Sequence, residues 1–440
     1  MPNQSHRANT LLHVNDRDAE HAPSYYAATA VGVPELPSLA GEHSCDVAVI
    51  GGGYSGLSCA LHRPGAATTS RSSRRTGSVG GLGAQRRPCR QRSAHRPDEL
   101  EKLVGETLAR RAWDIAEQAK TLVKDLVRRH EIPCDLRSGY LHANHRRRFD
   151  RHARAYAGFL NERYDYRDVR YVPPEEMASM LGARGYFGGF RDGGAAHLHP
   201  LNYALGIARA ALAAGARLFE RSEVLEVTPG DPVRVRTASG TVKAKYVVYA
   251  CNGYLGALEP RVGDRVMPIN NFVIATEPLG EDRARSLIAG NECVSDSRFV
   301  INYFRLSADR RMLFGGGENY GYRFPADIKS FVRRPMLEVF PQLADARIDY
   351  GWGGTLGITM SRLPHFERLD GNRLSISGYS GHGVALATLA GAVAAEAIDG
   401  VATRFDIMNA LPTPRFPGGS RFRSALLVLA MTWFALRDRL

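Results

Sequence analysis

Gly51-Gly52-Gly53-Tyr54-Ser55-Gly56 sets three glycines at the GxGxxG spacing, with Ala60 four residues further on. That spacing suits one piece of chemistry, the grip on a dinucleotide pyrophosphate. The first glycine permits a tight turn, the second lets the backbone approach the phosphates, and the third lets the following helix pack closely on the preceding strand. Alone the pattern is common. Residues 46–50 (DVAVI) before it and LSCAL after it supply the strand and the small-residue helix that the turn requires. The plain alternative is a glycine-rich turn that holds nothing.

Gly378-Tyr379-Ser380-Gly381-His382-Gly383 is a second glycine turn, between a strand expected over 374–377 and an Ala-rich helix over 384–399. His382 there is a candidate contact to cofactor or substrate, against the plain role of a turn histidine. Trp352 either walls a pocket or belongs to the core. Arg305 and Arg362 are candidates for gripping a carboxylate in bidentate fashion, with ordinary salt bridging as the alternative. His197 and His199 (HLHP) lack an accompanying carboxylate or Cys, so a loop role before a helix opening at Pro200 is favoured over a metal site. No metal centre is expected.

The dinucleotide fingerprint also calls for an acid about 20 residues on, at the end of the second strand, to bind a ribose hydroxyl. None is present: the first acid after Asp46 is Asp98, and residues 63–97 hold nine Arg, no Lys, no acid and no run that reads as a β-branched strand. Those nine arginines also explain the charge. The chain carries 58 Lys plus Arg against 45 Asp plus Glu, a surplus of 13; without the nine, 49 face 45. The basic balance therefore asks for no nucleic acid, and the stretch lacks the interleaved aromatics of a single-strand binder.

Read from the third base of each codon, the codons for 66–79 permit GYDVAVLEAHRVG, a strand ending in Glu. Read from the second base, those for 79–98 permit SGASGRNGG followed by GSAQRIDP. The two frames differ, so three small insertions or deletions that restore the frame near Asp98 would account for the segment. A genuine basic insertion loop is the alternative.

Behind these residues stands a chain of 440 residues, 44% apolar and 23% charged, enough for a sizeable core in two or three domains. Six cysteines without CxxC spacing, an N-terminus without an apolar signal core and no run of about 20 apolar residues lead to the expectation of a cytoplasmic protein without a membrane span. Residues 425–436 (ALLVLAMTWFAL) are apolar but short, and packing on the protein or a partner is favoured over membrane attachment. Helices are expected over 98–130, from Pro200 to Gly215 and over 335–340, and strands over 134–143, 169–174, 217–227, 233–237, 242–250, 271–277, 299–306 and 311–315. The element order suggests an α/β plus α+β architecture: a discontinuous Rossmann-type domain with an inserted, largely antiparallel domain. The expected division is an extended surface arm (1–41), nucleotide-domain pieces (42–105, 195–262, 350–410), inserted-domain pieces (106–194, 263–349) and a tail helix (411–440).

From Ser24-Tyr25-Tyr26 onward, through CDVAVIGGGYSGLS, HLHPLNYALGIARAAL, VVYACNGYLG, VIATEPLG, YFRLSADRRMLFGGG, YGWGGTLGITMSRLP and SGYSGHGVALATLAG, the chain resembles flavoprotein amine oxidases of the D-amino-acid oxidase superfamily. Within it, the motifs are most similar to the gamma-glutamylputrescine oxidases. The resemblance implies FAD as cofactor, a small-molecule amine and dioxygen as reaction partners, and oxidation of a C–N bond. A hydride would pass from the amine α-carbon to the flavin, the imine would hydrolyse to aldehyde and ammonia, and reoxidation would release hydrogen peroxide. It implies a cofactor site of Gly51, Gly53, Gly56, Ala60, Val224, Ala250, Gly253, Gly381, His382, Gly383 and Val384, with His382, Trp352 and Arg305 as candidates near the chemistry. A related glycine, sarcosine or D-amino-acid oxidase, or an inactive product lacking the ribose acid, are the alternatives.

Overall fold

The computed structural model describes residues 14–15, 22–69, 97–298, 300–319, 323–381 and 383–419. Among these, two eight-stranded sheets organise the chain. The first runs His365–Asp370, Arg373–Ser377, Gly240–Tyr249, Gly41–Ile50, Ala67–Thr69 and Arg217–Phe219, with Glu226–Thr228 and Val233–Arg236 extending from Gly240–Tyr249. Its centre is parallel, Val49 facing Val248 on one side and Thr68 on the other. Successive residues of a strand point to opposite faces. Val47 and Val49 accordingly enter the core beneath the helices Tyr54–His62, Pro200–Ala213 and Gly383–Ile398, while Ala48 and Ile50 pack with Val233, Val235 and Val242 on the other face. A strand buried on both faces reads as an uninterrupted apolar run, which is why DVAVI stands out.

The second sheet runs Ile348–Ile358, Met267–Thr276, Met312–Asn319, Tyr303–Leu306, Cys293–Asp296, Arg137–Ala143, Gly189–His197 and Val169–Val172. Its pairs are antiparallel except Cys293–Asp296 with Arg137–Ala143. Helix Ile328–Val339 covers one face through Val332, Met336 and Val339; helix Asp150–Arg163 covers part of the other through Tyr156 and Leu160.

Several expectations change. A strand does form inside 63–97: Ala67–Thr69 lies between Gly41–Ile50 and Arg217–Phe219, pairing Thr69 with Ile50 and Phe219. Two threonines in a slot flanked by strands suffice, because tertiary pairing outweighs weak local pattern. The helix expected over 98–130 is two, Pro97–Val104 and Glu106–Arg129, separated by Gly105 at φ +81°. The strand expected over 217–227 ends at Phe219 and resumes at Glu226. The helix expected to open at Pro335 begins at Ile328, where the Asp327 carboxylate accepts from the Ser330 N–H, and Pro335 lies within it. The N-terminal arm is not wholly superficial, since Tyr25 and Tyr26 of the short helix Tyr25–Ala28 are buried. Strands Gly189–His197, Cys293–Asp296, Ile348–Ile358 and His365–Asp370 carry no sequence expectation, and Ile348–Ile358 crosses the division drawn at residue 350. Residues 70–96, where most of the out-of-phase reading falls, and the tail 420–440 lie outside the described residues.

Candidate functional site

The Gly51–Gly56 turn leaves the central strand between two neighbours. Gly51 adopts φ +122°, a region L side chains avoid. A Cβ there would lie 2.6 Å from the Ala250 carbonyl oxygen, and one on Gly56 would lie 1.8 Å from that of Gly51. Gly53 is different: among the described residues nothing stands within 4 Å of the position its Cβ would take. It caps helix Tyr54–His62 without a side-chain hydrogen bond, so the first-turn N–H groups have no side-chain cap. Two glycines are thus required for packing and one for open approach, the pattern of a phosphate cradle.

The second glycine turn sits against the first. Ser55 Oγ and Tyr379 Oη are 2.7 Å apart and buried, and burial holds the Tyr379 hydroxyl well above its ordinary pKa. Helix Gly383–Ile398 packs onto Tyr54–His62 so closely that a Cβ on Gly391 would lie 2.2 Å from the Ser55 carbonyl oxygen. Gly381, at φ +92°, and Gly383 have open space around their missing Cβ positions among the described residues. Val384 is buried behind them. Both helix starts therefore carry glycines whose missing Cβ positions are open among the described residues.

The remaining expected cofactor residues close the cradle from behind. Ala60 is buried in the first helix. The Ala250 N–H donates to the Ile50 carbonyl at 2.8 Å, and burial pushes the neighbouring Cys251 thiol up to about 12. Gly253 meets the second sheet: a Cβ there would sit 2.9 Å from the Leu356 carbonyl. Asn252 Oδ1 accepts from the Gly378 N–H at 3.0 Å, tying this corner to the second turn. Val224 is buried with Ala48, Ile50 and Ala67 on the far face of the first sheet. Ala67–Thr69 ends beside the Gly51 turn, the Gly51 N–H donating to the Thr69 carbonyl at 2.8 Å. The chain continues there as Ser70-Arg71, where the fingerprint calls for an acid. The backbone fits a dinucleotide cofactor such as FAD.

Of the other candidates, His382 lies outside the described residues. Trp352 is buried at 2% exposure, edge-on to Tyr26 with ring centroids 5.3 Å apart, and its indole N–H has no partner among the described residues. Arg305 is buried at 1% exposure. Its guanidinium donates to the Leu198 and Leu306 carbonyls at 3.1 Å each and to Tyr26 Oη at 3.4 Å, and lies 3.4 Å from His197 Nδ1. These partners fix Arg305 between the N-terminal segment, the HLHP loop and the second sheet. Arg362, at φ +60°, is half-buried.

Sequence reading did not foresee how much the histidines organise. His199 Nδ1 accepts from the Asn202 N–H at 3.0 Å and caps helix Pro200–Ala213, while its Nε2 lies 2.9 Å from Thr29 Oγ1. His197 Nε2 donates to the Asn291 carbonyl at 2.8 Å. Burial, reinforced by the Arg305 charge, lowers His197 to about 3 and His199 to about 4, so both are neutral near pH 7. Tyr26 and Tyr54 were not singled out either. Tyr54 Oη donates to the Pro200 carbonyl at 3.2 Å, linking the first cradle helix to the HLHP loop.

The family profile DAO, described as FAD dependent oxidoreductase, matches residues 46–397. The chain is similar to a probable oxidoreductase, OrdL, of Rhizobium meliloti (strain 1021), 41% identical over 94% of this chain and 97% of the relative. It is also similar to the gamma-glutamylputrescine oxidoreductase of Escherichia coli (strain K12), 39% identical over 96% and 99%. In fold it matches the crystal structure of glycine oxidase from Geobacillus kaustophilus, with a TM-score of 0.65 and 20% identity over 81% of this chain and 95% of that one.

Proposed function

The chain belongs to the DAO family of FAD-dependent oxidoreductases, and from that premise we propose that it oxidises the C–N bond of gamma-glutamylputrescine or a closely related gamma-glutamylated diamine. The products would be an aldehyde, ammonia and, with dioxygen as acceptor, hydrogen peroxide. One observation carries the substrate: 39% identity to the E. coli gamma-glutamylputrescine oxidoreductase across nearly the full length of both chains. When bound, FAD supplies the electron sink for removing hydride from the carbon bearing the amine.

In this reading the chain's own groups bind, orient and exclude water. The open N–H groups at Gly53 hold the pyrophosphate, and those at Gly381 and Gly383 favour negative charge through the helix N-terminus. Trp352 and Tyr303, on one face of the second sheet, wall off the amine. Arg305, committed to Leu198 and Leu306, is a positioning residue in this proposal. Five described cysteines are free thiols, which suits a reducing cytoplasm; among the described residues, no helix is long and apolar enough to cross a membrane.

A second reading rests on residues 63–97, whose nine arginines and missing acid would follow from a shifted reading frame, with a genuine basic insertion loop as the alternative. In it the protein folds but holds FAD weakly or not at all. One experiment separates the readings. The purified chain is loaded with FAD and given gamma-glutamylputrescine, putrescine, glycine and sarcosine in air, while flavin absorbance and peroxide are followed. Peroxide strongest with gamma-glutamylputrescine supports the first reading; preference for glycine or sarcosine overturns its substrate. Failure to retain any flavin supports the second.

A further inference from the structure

The second sheet presents one continuous face across six strands. Trp352 stands opposite Val273, Val273 opposite Gly315, Gly315 opposite Tyr303, Tyr303 opposite Ser295 and Ser295 opposite His142. Residues opposed in neighbouring strands project to the same side, and so do residues two apart along a strand. Two positions beyond His142 that face reaches Asn144, just past the end of Arg137–Ala143. Pairing continues there: the Asn144 N–H donates to the Gly188 carbonyl at 2.9 Å, and its carbonyl accepts from the Phe187 N–H at 2.8 Å.

The Asn144 side chain is fully buried, yet neither its amide oxygen nor its amide nitrogen has a partner among the described residues. Buried polar groups are nearly always hydrogen-bonded, so an amide left bare on both sides points to a missing partner. Its acceptor and adjacent donors complement a second amide group, and match neither an ammonium nor a carboxylate alone.

Charge lies immediately beyond. Arg147 and Arg148 occupy the short helix Arg147–Phe149 and are exposed. The Arg147 guanidinium rests 5.1 Å over the ring of Phe187, the residue whose N–H holds the Asn144 carbonyl. Arg148 rests 5.3 Å over Phe149. Neither arginine has a carboxylate partner among the described residues. From Tyr303 to the Asn144 strand is two strand spacings, about 10 Å, the length scale of a short diamine with an acyl group on one end.

We propose that Asn144, Arg147 and Arg148 form the subsite for the acyl end of the substrate, Asn144 pairing with the amide of an N-acylated diamine and the arginines with its carboxylate. This rests on the reading that the C–N bond at the other end is the one oxidised. Binding requires the sheet face and helix Asp150–Arg163 to part enough to admit the acyl group.

The test uses the full chain loaded with FAD and N-butyl-gamma-glutamine, which has the amide and the carboxylate but lacks the terminal amine and so is not consumed. Calorimetry should show Asn144→Ala weakening this probe about tenfold. The exposed pair Arg147→Gln with Arg148→Gln, which leaves the core intact, should weaken it about tenfold at low salt and less at high salt. N-butylbutanamide, lacking the carboxylate, should sense Asn144→Ala and ignore the arginine pair. KM for gamma-glutamylputrescine should rise in both variants. Should Asn144→Ala fail to fold, Asn144→Gln and the arginine pair decide alone. Equal binding of the probe to all variants, or none to the parent chain, overturns the subsite. If the parent oxidises gamma-glutamylputrescine regardless, the function stands and the subsite falls. If the probe binds as expected but gamma-glutamylputrescine reduces no flavin, the subsite stands and the function falls.

Discussion

The two glycine turns of the first sheet look alike but divide crowded and open glycines differently: Gly51 and Gly56 of the first are crowded and Gly53 open, whereas in the second Gly378 is crowded and Gly381 and Gly383 are open. At Gly51 and Gly56 each missing Cβ faces a carbonyl at 2.6 or 1.8 Å, so the glycines exist because the backbone is crowded. At Gly381 and Gly383 nothing among the described residues lies within 4 Å, so there the glycines leave room. A third helix start, at Pro200, is closed by its own residue, His199. The difference separates what holds the fold from what is left free for an anionic ligand. It also bears on residues 63–97, since the cradle's donors are backbone groups set by the fold, whereas the ribose acid of the fingerprint is a side chain and these residues contain none.

The largest effect expected from this contrast is at the crowded turn. Gly56→Val drives a side chain into the Gly51 carbonyl and should cost roughly 4 kcal/mol or prevent folding, read by chemical denaturation and by loss of bound flavin. Gly383→Ala, with open space around it, should change stability by less than about 1 kcal/mol while weakening FAD binding. If the two variants lose stability equally, the distinction between packing and approach glycines is wrong.

Next is the missing acid. Replacing the 14 residues 66–79 by the 13-residue GYDVAVLEAHRVG, one residue shorter, introduces a glutamate where the segment has no acid. A charge-assisted ribose contact should raise FAD affinity by about 2 kcal/mol, roughly thirtyfold, measured by fluorescence titration. No gain would show that the backbone cradle carries the affinity alone.

The closed helix start predicts acid sensitivity. His197 and His199 have folded-state values of about 3 and 4, below the ordinary histidine value of about 6.5 in an unfolded chain. The unfolded state therefore takes up protons first, and stability falls as pH drops from about 6.5 toward 4, by roughly 1 kcal/mol per histidine per pH unit. Thermal unfolding between pH 7.5 and 5 checks this, and a flat profile contradicts it. Arg305→Met removes the second cause of the lowering, so both histidines should titrate higher and the slope should flatten. The histidine proton resonances report that directly.

A small effect is also expected at Gly381. Its φ of +92° makes Gly381→Ala strained by about 1 kcal/mol although no atom obstructs the new methyl group. A drop of that size without change in flavin binding would place Gly381 outside the cradle.

Much of the nucleotide domain was legible because its signals are local. DVAVI is apolar throughout since both its faces are buried, and the fingerprint glycines follow it without a gap. Pro200 opened a helix and Gly215 followed its end, where φ +87° suits glycine. The second sheet was harder to read. Ile348–Ile358 contains four glycines and carries no alternation, and it is a strand because Met267–Thr276 pairs along nearly its whole length. Pro335 looked like a helix start because local rules favour proline in the first turn. Packing of Val332, Met336 and Val339 on the sheet overrides that, and the helix runs through it.

The sequence by itself determined the cradle: three glycines at fixed spacing, a strand before them, a helix after them, and the absence of an acid downstream. It also determined the family, because so many short motifs stand in one order. Only the tertiary structure decided what the isolated polar residues do. Arg305 is committed to the Leu198 and Leu306 carbonyls, His199 caps a helix, and Asn144 is buried with its amide bare among the described residues. A side chain's partners lie far away in the chain, and whether it is satisfied, capped or left open depends on strand register and helix placement that no local pattern encodes.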